Sequence, residues 1–245
     1  THLLIDCGAT GSYITECLGR IGLQPNALSG ILVTHEHRDH VCGAGVLARK
    51  YGVRLYTNEA TFAAMRPIVG PVDEDNVEVH APGEAFYIGD IAVCSFSIPH
   101  DASDPVGYCL RSREETFTIA TDMGCLSEPV MEALRGSDYA IVEANHDVEM
   151  LRNGRYPWPL KKRILSEYGH FSNACAGELC MSLVESGVKC IWLGHLSQEN
   201  NRPEVAYQTV AGILAENGVQ AGRDVALGVL PRYWLPQYVR TARVS

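Results

Sequence analysis

The segment Thr34-His35-Glu36-His37-Arg38-Asp39-His40 places three histidines and an aspartate within six residues, directly behind the apolar run Gly30-Ile31-Leu32-Val33. Imidazole and carboxylate together are the donor set of borderline-to-hard divalent cations such as Zn²⁺, Fe²⁺ and Mn²⁺. Side chains alternate along an extended chain, so His35, His37 and Asp39 are expected to project to one side. His40 joins them if a helix begins there, and Ala44 to Tyr51 reads as that helix. Four donors on so short a loop exceed what one tetrahedral ion with an open position requires. They point to two adjacent ions sharing the loop; the alternative is a solvated polar turn after a strand.

The elements that must position these groups alternate in type. Leu3-Leu4-Ile5 reads as a short strand ending in Asp6-Cys7-Gly8. A helix follows from Gly11 to Ile21, with Ile14, Leu18 and Ile21 on one face. Ile31–Val33 and Arg54–Tyr56 are strands, and Asn58 caps a helix to about Met65, where Pro67 to Pro71 breaks the pattern. Ile91 to Ile98 is a strand closed by Pro99-His100-Asp101. Val106–Leu110 and Thr116–Ala120 form a hairpin, leading into Thr121-Asp122-Met123-Gly124 and a helix that Ser127 caps. Tyr139–Val142 is a buried strand finishing in Glu143-Ala144-Asn145-His146-Asp147. Gly169-His170-Phe171-Ser172-Asn173 opens a helix through Glu185, and Lys189–Leu193 is a strand followed by Gly194-His195-Leu196-Ser197. Pro203 begins a helix with Val205, Ala206, Val210, Ile213 and Leu214 inward; a last strand covers Val225 to Leu230. The tail from Tyr233-Trp234 has no clear period.

Strand after strand thus ends in a residue of one chemical kind: Asp6, His35, His100, Asp122, Glu143, His195. Loops at strand carboxyl ends of α/β sheets gather on one edge, where ligands bind. Residues 1–245 read as a single α/β domain without repeat or linker, and an N-terminal strand is expected upstream of residue 1. Apolar content of 46% against 20% charged residues suits a globular chain, and the apolar runs are strand-sized, so no membrane span is expected. Nine cysteines, an odd number without a C-x-x-C pair, suggest reduced thiols and a cytoplasmic location. The net charge of −9 argues against a nucleic-acid partner by itself, but bound divalent ions would dominate the local field.

The ordered set T-H-E-H-R-D-H, then His100, then T-D-M-G at Asp122, then G-H-L-S at His195, resembles the metallo-β-lactamase-fold hydrolases. The resemblance covers nearly the whole chain and implies an αββα sandwich of two mixed sheets flanked by helices. It further implies two divalent ions, Zn²⁺, Mn²⁺ or Fe²⁺. His35, His37 and His100 would hold one and Asp39, His40 and His195 the other, with Asp122 bridging and Asp6 steadying the histidine loop. Cys125 is an alternative thiolate ligand, but Asp122 sits directly at its strand end. The segments around Glu143, His170 and His195 are similar to the YycJ/WalJ-type group, related to the tRNA 3′-processing nucleases. With only 26 residues between Glu143 and His170, no long RNA-gripping arm fits.

What that resemblance implies is a phosphodiesterase, a nuclease acting on DNA or RNA, with a DNA exonuclease among the expected activities. A metal-bound hydroxide between the two ions would attack, and His170, oriented by Glu143, would protonate the leaving oxygen, with Asp39, His170 and Glu143 as the catalytic residues. His170 could instead be a helix-terminal histidine packed near Ser172. The basic, Pro-rich stretch 152–163 offers Arg155, Lys161 and Lys162 to phosphates and Tyr156 or Trp158 to a base, or is a solvated loop. His146, Asp147, Ser197 and Asn201 are further candidate substrate contacts, although His146 and Asp147 could equally brace their loop; His2 and His80 look incidental. Two other functions remain compatible with the ligand set: an ester, thioester or lactone hydrolase, and a non-catalytic metal-binding regulatory module.

Overall fold

The computed structural model describes residues 1–232; the tail from Tyr233 lies outside them. The chain folds into two compact units, one of residues 1–92 and 102–106, the other of residues 93–101 and 107–232.

In the first unit, β1 (Leu3–Ile5), β2 (Gly30–Leu32), β3 (Leu55–Thr57) and β4 (Val77–Val79) form one sheet in sequence order. All three pairings are parallel, so the expectation of mixed sheets is corrected here. Parallel neighbours require crossovers, which α1 (Gly11–Arg20), α3 (Ala44–Tyr51) and α4 (Glu59–Val69) supply. Thr10 caps α1 by accepting from the Tyr13 amide, and Asn58 caps α4 by accepting from Thr61. Ile14 and Leu18 are buried as the helical period demands, but Ile21 lies past the helix end and is exposed. Pro67 does not stop α4, which runs on to Val69 and closes with the Gly70 amide on the Arg66 carbonyl. A proline lacks an N–H and crowds the preceding turn, which is why the sequence reading ended this helix early. β4 and β5 (Ala85–Ile88) were not expected at all. Leu47, Leu55 and Met65 have no exposed surface and anchor the core, each contributing about 1.5–3 kcal/mol.

β6 (Ile91–Ser97) carries the chain into the second unit. There β6, β7 (Val106–Arg111), β8 (Thr116–Ala120), β9 (Tyr139–Glu143), β10 (Cys190–Gly194) and β11 (Ala226–Val229) neighbour one another in sequence order. β7 and β8 make the expected antiparallel hairpin, and β8 through β11 are parallel, so this sheet is mixed. Its core includes Ala120, Val142, Leu179, Leu183, Ile191 and Leu214. α5 (Glu128–Leu134) starts at Ser127, whose side chain makes no capping bond. α8 (Asn173–Glu185) and α9 (Pro203–Glu216) follow the expected spans. The basic stretch 152–163, for which a solvated loop was one reading, instead takes in the end of α6 (Val148–Asn153) and most of α7 (Trp158–Ile164). Its prolines fall where helices tolerate them, at the N-cap and in the first turn of α7.

Parallel register does most to build the site in this unit. Ala120 on β8 pairs with Val142 on β9, which pairs with Leu193 on β10. The residues just beyond, Asp122, Glu143 and His195, therefore emerge side by side from strands spaced about 4.8 Å apart. The first unit has a comparably tight junction after β1. A Cβ on Gly8 would lie 1.5 Å from the Asp39 carbonyl oxygen, so only glycine passes there. Gly8→Ala is expected to lower the urea-unfolding free energy by about 2 kcal/mol or more. Gly19→Ala, in open space on α1, is expected to raise it by about 0.5–1 kcal/mol.

Candidate functional site

In the first unit the chain is irregular after β2 and extended only as far as His37. α2 (Arg38–Val41) begins immediately after it, so Asp39 and His40 are delivered by a helical turn rather than by strand alternation. The His35 ring lies 4.6 Å from that of His37 and 4.0 Å from that of His40, centroid to centroid. His35 and His40 are buried, His37 is half-buried and Asp39 is exposed. One carboxylate organises this group. Asp6 Oδ1 accepts the Thr34 amide at 2.8 Å, while Oδ2 accepts the Thr34 hydroxyl at 2.8 Å and His40 Nδ1 at 2.7 Å. Because the Thr34 hydroxyl donates to Asp6, it accepts from His35 Nδ1 at 2.9 Å. Both imidazoles are thus protonated at Nδ1 and carry their lone pair at Nε2, the tautomer a metal ligand needs. Glu36 braces the same loop, its Oε1 accepting from the amide and hydroxyl of Ser103. Thr34 is a functional residue the sequence reading quoted but gave no role.

In the second unit, ligand atoms of Asp122, Glu143, His170 and His195 all lie within 4.8 Å of one another. Glu143, with no exposed surface, makes four hydrogen bonds. Its Oε1 accepts from His170 Nδ1 at 2.8 Å and His195 Nδ1 at 2.7 Å, and its Oε2 accepts the amides of Met123 at 2.9 Å and Phe171 at 3.0 Å. Burial alone would raise its pKa; the charge and hydrogen bonds of His170 and His195 outweigh burial and lower it. His170 shows the converse: burial works to lower its pKa, but the Glu143 charge and hydrogen bond, with Asp122, raise it overall. His195 Nε2 lies 3.3 Å from Asp122 Oδ1. His100 donates Nδ1 to the Gly169 carbonyl at 3.2 Å, and its Nε2 is 3.9 Å from Asp122 Oδ1. Burial lowers the pKa of His100, keeping it in the neutral form that binds metals. The Cys125 thiol is pushed up by burial and by Glu167, which disfavours the thiolate alternative.

Among the described residues, three non-glycine residues have left-handed backbones: Asp6 (φ 59°), Asp122 (φ 60°) and His195 (φ 55°). Each conformation costs about 1–2 kcal/mol, and each belongs to one of these two groups at the end of a strand. Strain at such positions accompanies functional constraint.

The tentative substrate contacts divide. Arg155 and Lys162 are exposed. Lys161 is buried and donates to the carbonyls of Arg152 and Gly154, both at 2.7 Å, so it closes α6 instead of meeting phosphate. Asn201 is buried in an asparagine knot, donating to the Ala144 and Asn145 carbonyls and exchanging bonds with Asn173. Asp147 caps α6 by accepting from Met150, and Ser197 staples its loop by accepting from the Asn200 amide. His146 is 1% exposed, beyond direct reach of a substrate. The sequence held these residues in polar runs, where a brace and a contact look alike.

The fit to divalent ions rests on donor chemistry. Nδ1 of His35, His40, His100 and His195 each meets an acceptor, directing the Nε2 lone pair outward.

Comparisons with known proteins bear on the family and the fold. The family model described as "Beta-lactamase superfamily domain" matches residues 1–191. The chain is 42% identical over 224 residues to the exodeoxyribonuclease WalJ of Streptococcus pneumoniae, covering 91% of this chain and 83% of that one. It is 40% identical over 220 residues to the exodeoxyribonuclease YycJ of Bacillus anthracis, covering 90% and 83%. Among solved structures, the metallo-beta-lactamase fold protein YhfI from Bacillus subtilis superposes with a TM-score of 0.69 at 14% identity, over 95% of this chain and 85% of that one.

Burial lowers the pKa of His146 to about 4 from an ordinary 6.5. Between those values the unfolded chain binds more protons than the folded one. The stabilisation is therefore complete above about pH 6.5, and about 2 kcal/mol of it is lost by pH 5. The unfolding free energy of the wild type is expected to fall from pH 7 to pH 5 by about 2 kcal/mol more than that of His146→Leu.

Proposed function

Since this chain belongs to the beta-lactamase superfamily, we propose that it is a metal-dependent exodeoxyribonuclease. The activity comes from the two exodeoxyribonucleases at 40% and 42% identity. The observation that carries it is the Glu143–His170 pair. Hydrolysis of an activated ester needs no separate proton donor, whereas a deoxyribose oxygen leaving from phosphorus does. A thioester or activated ester, whose leaving group departs unprotonated, would leave His170 with no proton to donate.

We assign His35, His37 and His100 to one divalent ion and Asp39, His40 and His195 to a second, with Asp122 shared. Zn²⁺, Mn²⁺ and Fe²⁺ all suit these donors. When bound, such ions supply Lewis-acid charge at the phosphate and an acidified water near neutral pH. The chain supplies the rest. Asp6, through Thr34, fixes His35 and His40 in the tautomer that presents Nε2. Glu143 does the same for His195 and holds His170 through Nδ1, so that a protonated His170 presents its Nε2–H to the departing oxygen. The raised pKa of His170 keeps that proton available at higher pH than a free imidazole would. Among the described residues no helix is long and apolar enough to cross a membrane. We place the protein in the cytoplasm because none of its nine cysteines is disulfide-bonded.

End-labelled DNA with Mn²⁺ or Zn²⁺ tests the activity. His170→Ala is expected to slow DNA cleavage about 10²–10⁴-fold. Its turnover of bis(p-nitrophenyl) phosphate, whose nitrophenolate departs unprotonated, is expected to fall far less; equal losses would remove His170 from the proton-donor role. Asp122→Ala is expected to abolish both activities and to lower bound metal in elemental analysis. Full metal content in that variant would refute its assignment as a ligand.

A further inference from the structure

The parallel ladder between β9 and β10 breaks at His195. Past the paired residues Glu143 and Gly194, the Ala144 amide still donates to the Gly194 carbonyl at 3.0 Å. An unbroken ladder would next bring the Leu196 amide to the Ala144 carbonyl. Instead the Ser197 amide, one residue on, donates to the Asn145 carbonyl at 2.7 Å, and Asn201 Nδ2 donates to Ala144 at 2.8 Å. Successive β10 carbonyls also serve opposite neighbours. That of Leu193 accepts from Leu230, beyond β11, and that of Gly194 from Ala144, beyond β9. The alternation would turn the His195 carbonyl toward the β11 side. With φ at 55°, it accepts Asn145 Nδ2 at 3.0 Å from the β9 side.

His195 is therefore held at two points by residues two apart on one chain segment. Glu143 accepts from the ring at Nδ1, 2.7 Å away, and Asn145 donates to the carbonyl. The ring bond fixes the tautomer; the carbonyl bond acts on the backbone that aims the ring, whose Nε2 lies 3.3 Å from Asp122 Oδ1. A left-handed backbone is unfavourable for any residue with a Cβ, so it persists only where its surroundings impose it. Asn145 is itself anchored: it is buried, its amide donates to the Phe171 carbonyl at 2.8 Å, and its carbonyl also accepts from Asn201 Nδ2 at 3.1 Å. Asn173 and Asn201 bond to each other through their side chains, whereas the Asn145 side chain reaches a residue assigned to metal. The interaction needs a donor. Aspartate has the same shape but would set oxygen against oxygen.

We propose that Asn145 is a positioning residue for His195: its side-chain amide maintains the left-handed turn that aims the imidazole, and so sets the affinity for the ion assigned to His195. This rests on the two-ion assignment above and adds to it a residue that touches neither ion nor substrate.

The test is calorimetric titration with Mn²⁺ of the full chain, freed of metal by a chelator, as wild type, Asn145→Ala, Asn145→Asp and Leu179→Ala. Wild type is expected to bind two ions. Both Asn145 variants are expected to bind one of them about 10- to 100-fold more weakly and the other within about threefold of wild type, as for the loss of a partner that orients a ligand. Electron paramagnetic resonance at equal Mn²⁺ is expected to show a spin-coupled pair in wild type and mostly isolated Mn²⁺ in the variants. Leu179 lies in the core, so Leu179→Ala loosens the same unit and is expected to retain the pair. Wild-type affinity for both ions in Asn145→Asp would overturn the proposal, as would equal weakening of both ions or the same selective loss in Leu179→Ala. If neither Asn145 variant folds by circular dichroism, Asn145 serves the fold and the proposal fails. Fewer than two ions in wild type would instead refute the two-ion assignment, so the two failures are distinguishable.

Discussion

A single buried carboxylate, Glu143, sets the chemistry of the second unit. Its four hydrogen bonds join the end of β9 to the turn at Met123, to Phe171 at the start of the α8 region and to two imidazoles from separate loops. A fully buried carboxylate without such donors would be costly, and each donor deprived of it would be a buried unsatisfied group. The dependence is mutual. The negative charge raises the pKa of His170, while the hydrogen bond at Nδ1 turns the Nε2 lone pair of His195 outward. Two histidines from separate loops thus take their orientation from the same oxygen atom.

Asp6 plays the equivalent part in the first unit by a different route. It reaches one histidine directly and the other through the Thr34 hydroxyl, so a relay replaces the second direct contact. In both units the carboxylate stands behind the imidazoles and fixes ring orientation and tautomer together, the arrangement by which protein groups tune metal ligands. The left-handed backbones at Asp6, Asp122 and His195 belong to this design. An extended residue at the end of a strand would keep its side chain above or below the sheet. A residue with positive φ turns it aside within one position, and the surrounding hydrogen bonds hold that turn against its strain.

The two kinds of polar residue around this centre differ in what they face. Asn145, Asn173 and Asn201 satisfy one another and nearby carbonyls, which makes the loops after β9 and β10 rigid. Trp158 and Lys162 on α7, and Tyr168 beyond its end, make the opposite choice and remain exposed.

By itself the sequence established the donor set and its order. H-x-H-x-D-H is local, and strands ending in His100, Asp122, Glu143 and His195 are legible from apolar runs that stop at a polar residue. Element types followed for the same reason, because the burial period of a helix or strand is written in neighbouring residues. It misjudged α4 at Pro67 and passed over α6 and α7, where proline and charge mask a helix that packing maintains. Tertiary structure alone decided the roles: that Lys161 closes a helix, that Asn201 ties loops, that Thr34 is a relay, and that Glu143 serves two histidines. The register of β8, β9 and β10 and the depth of burial settle such matters. Both arise from contacts between residues far apart in the chain, and no local pattern encodes which polar group will find which partner.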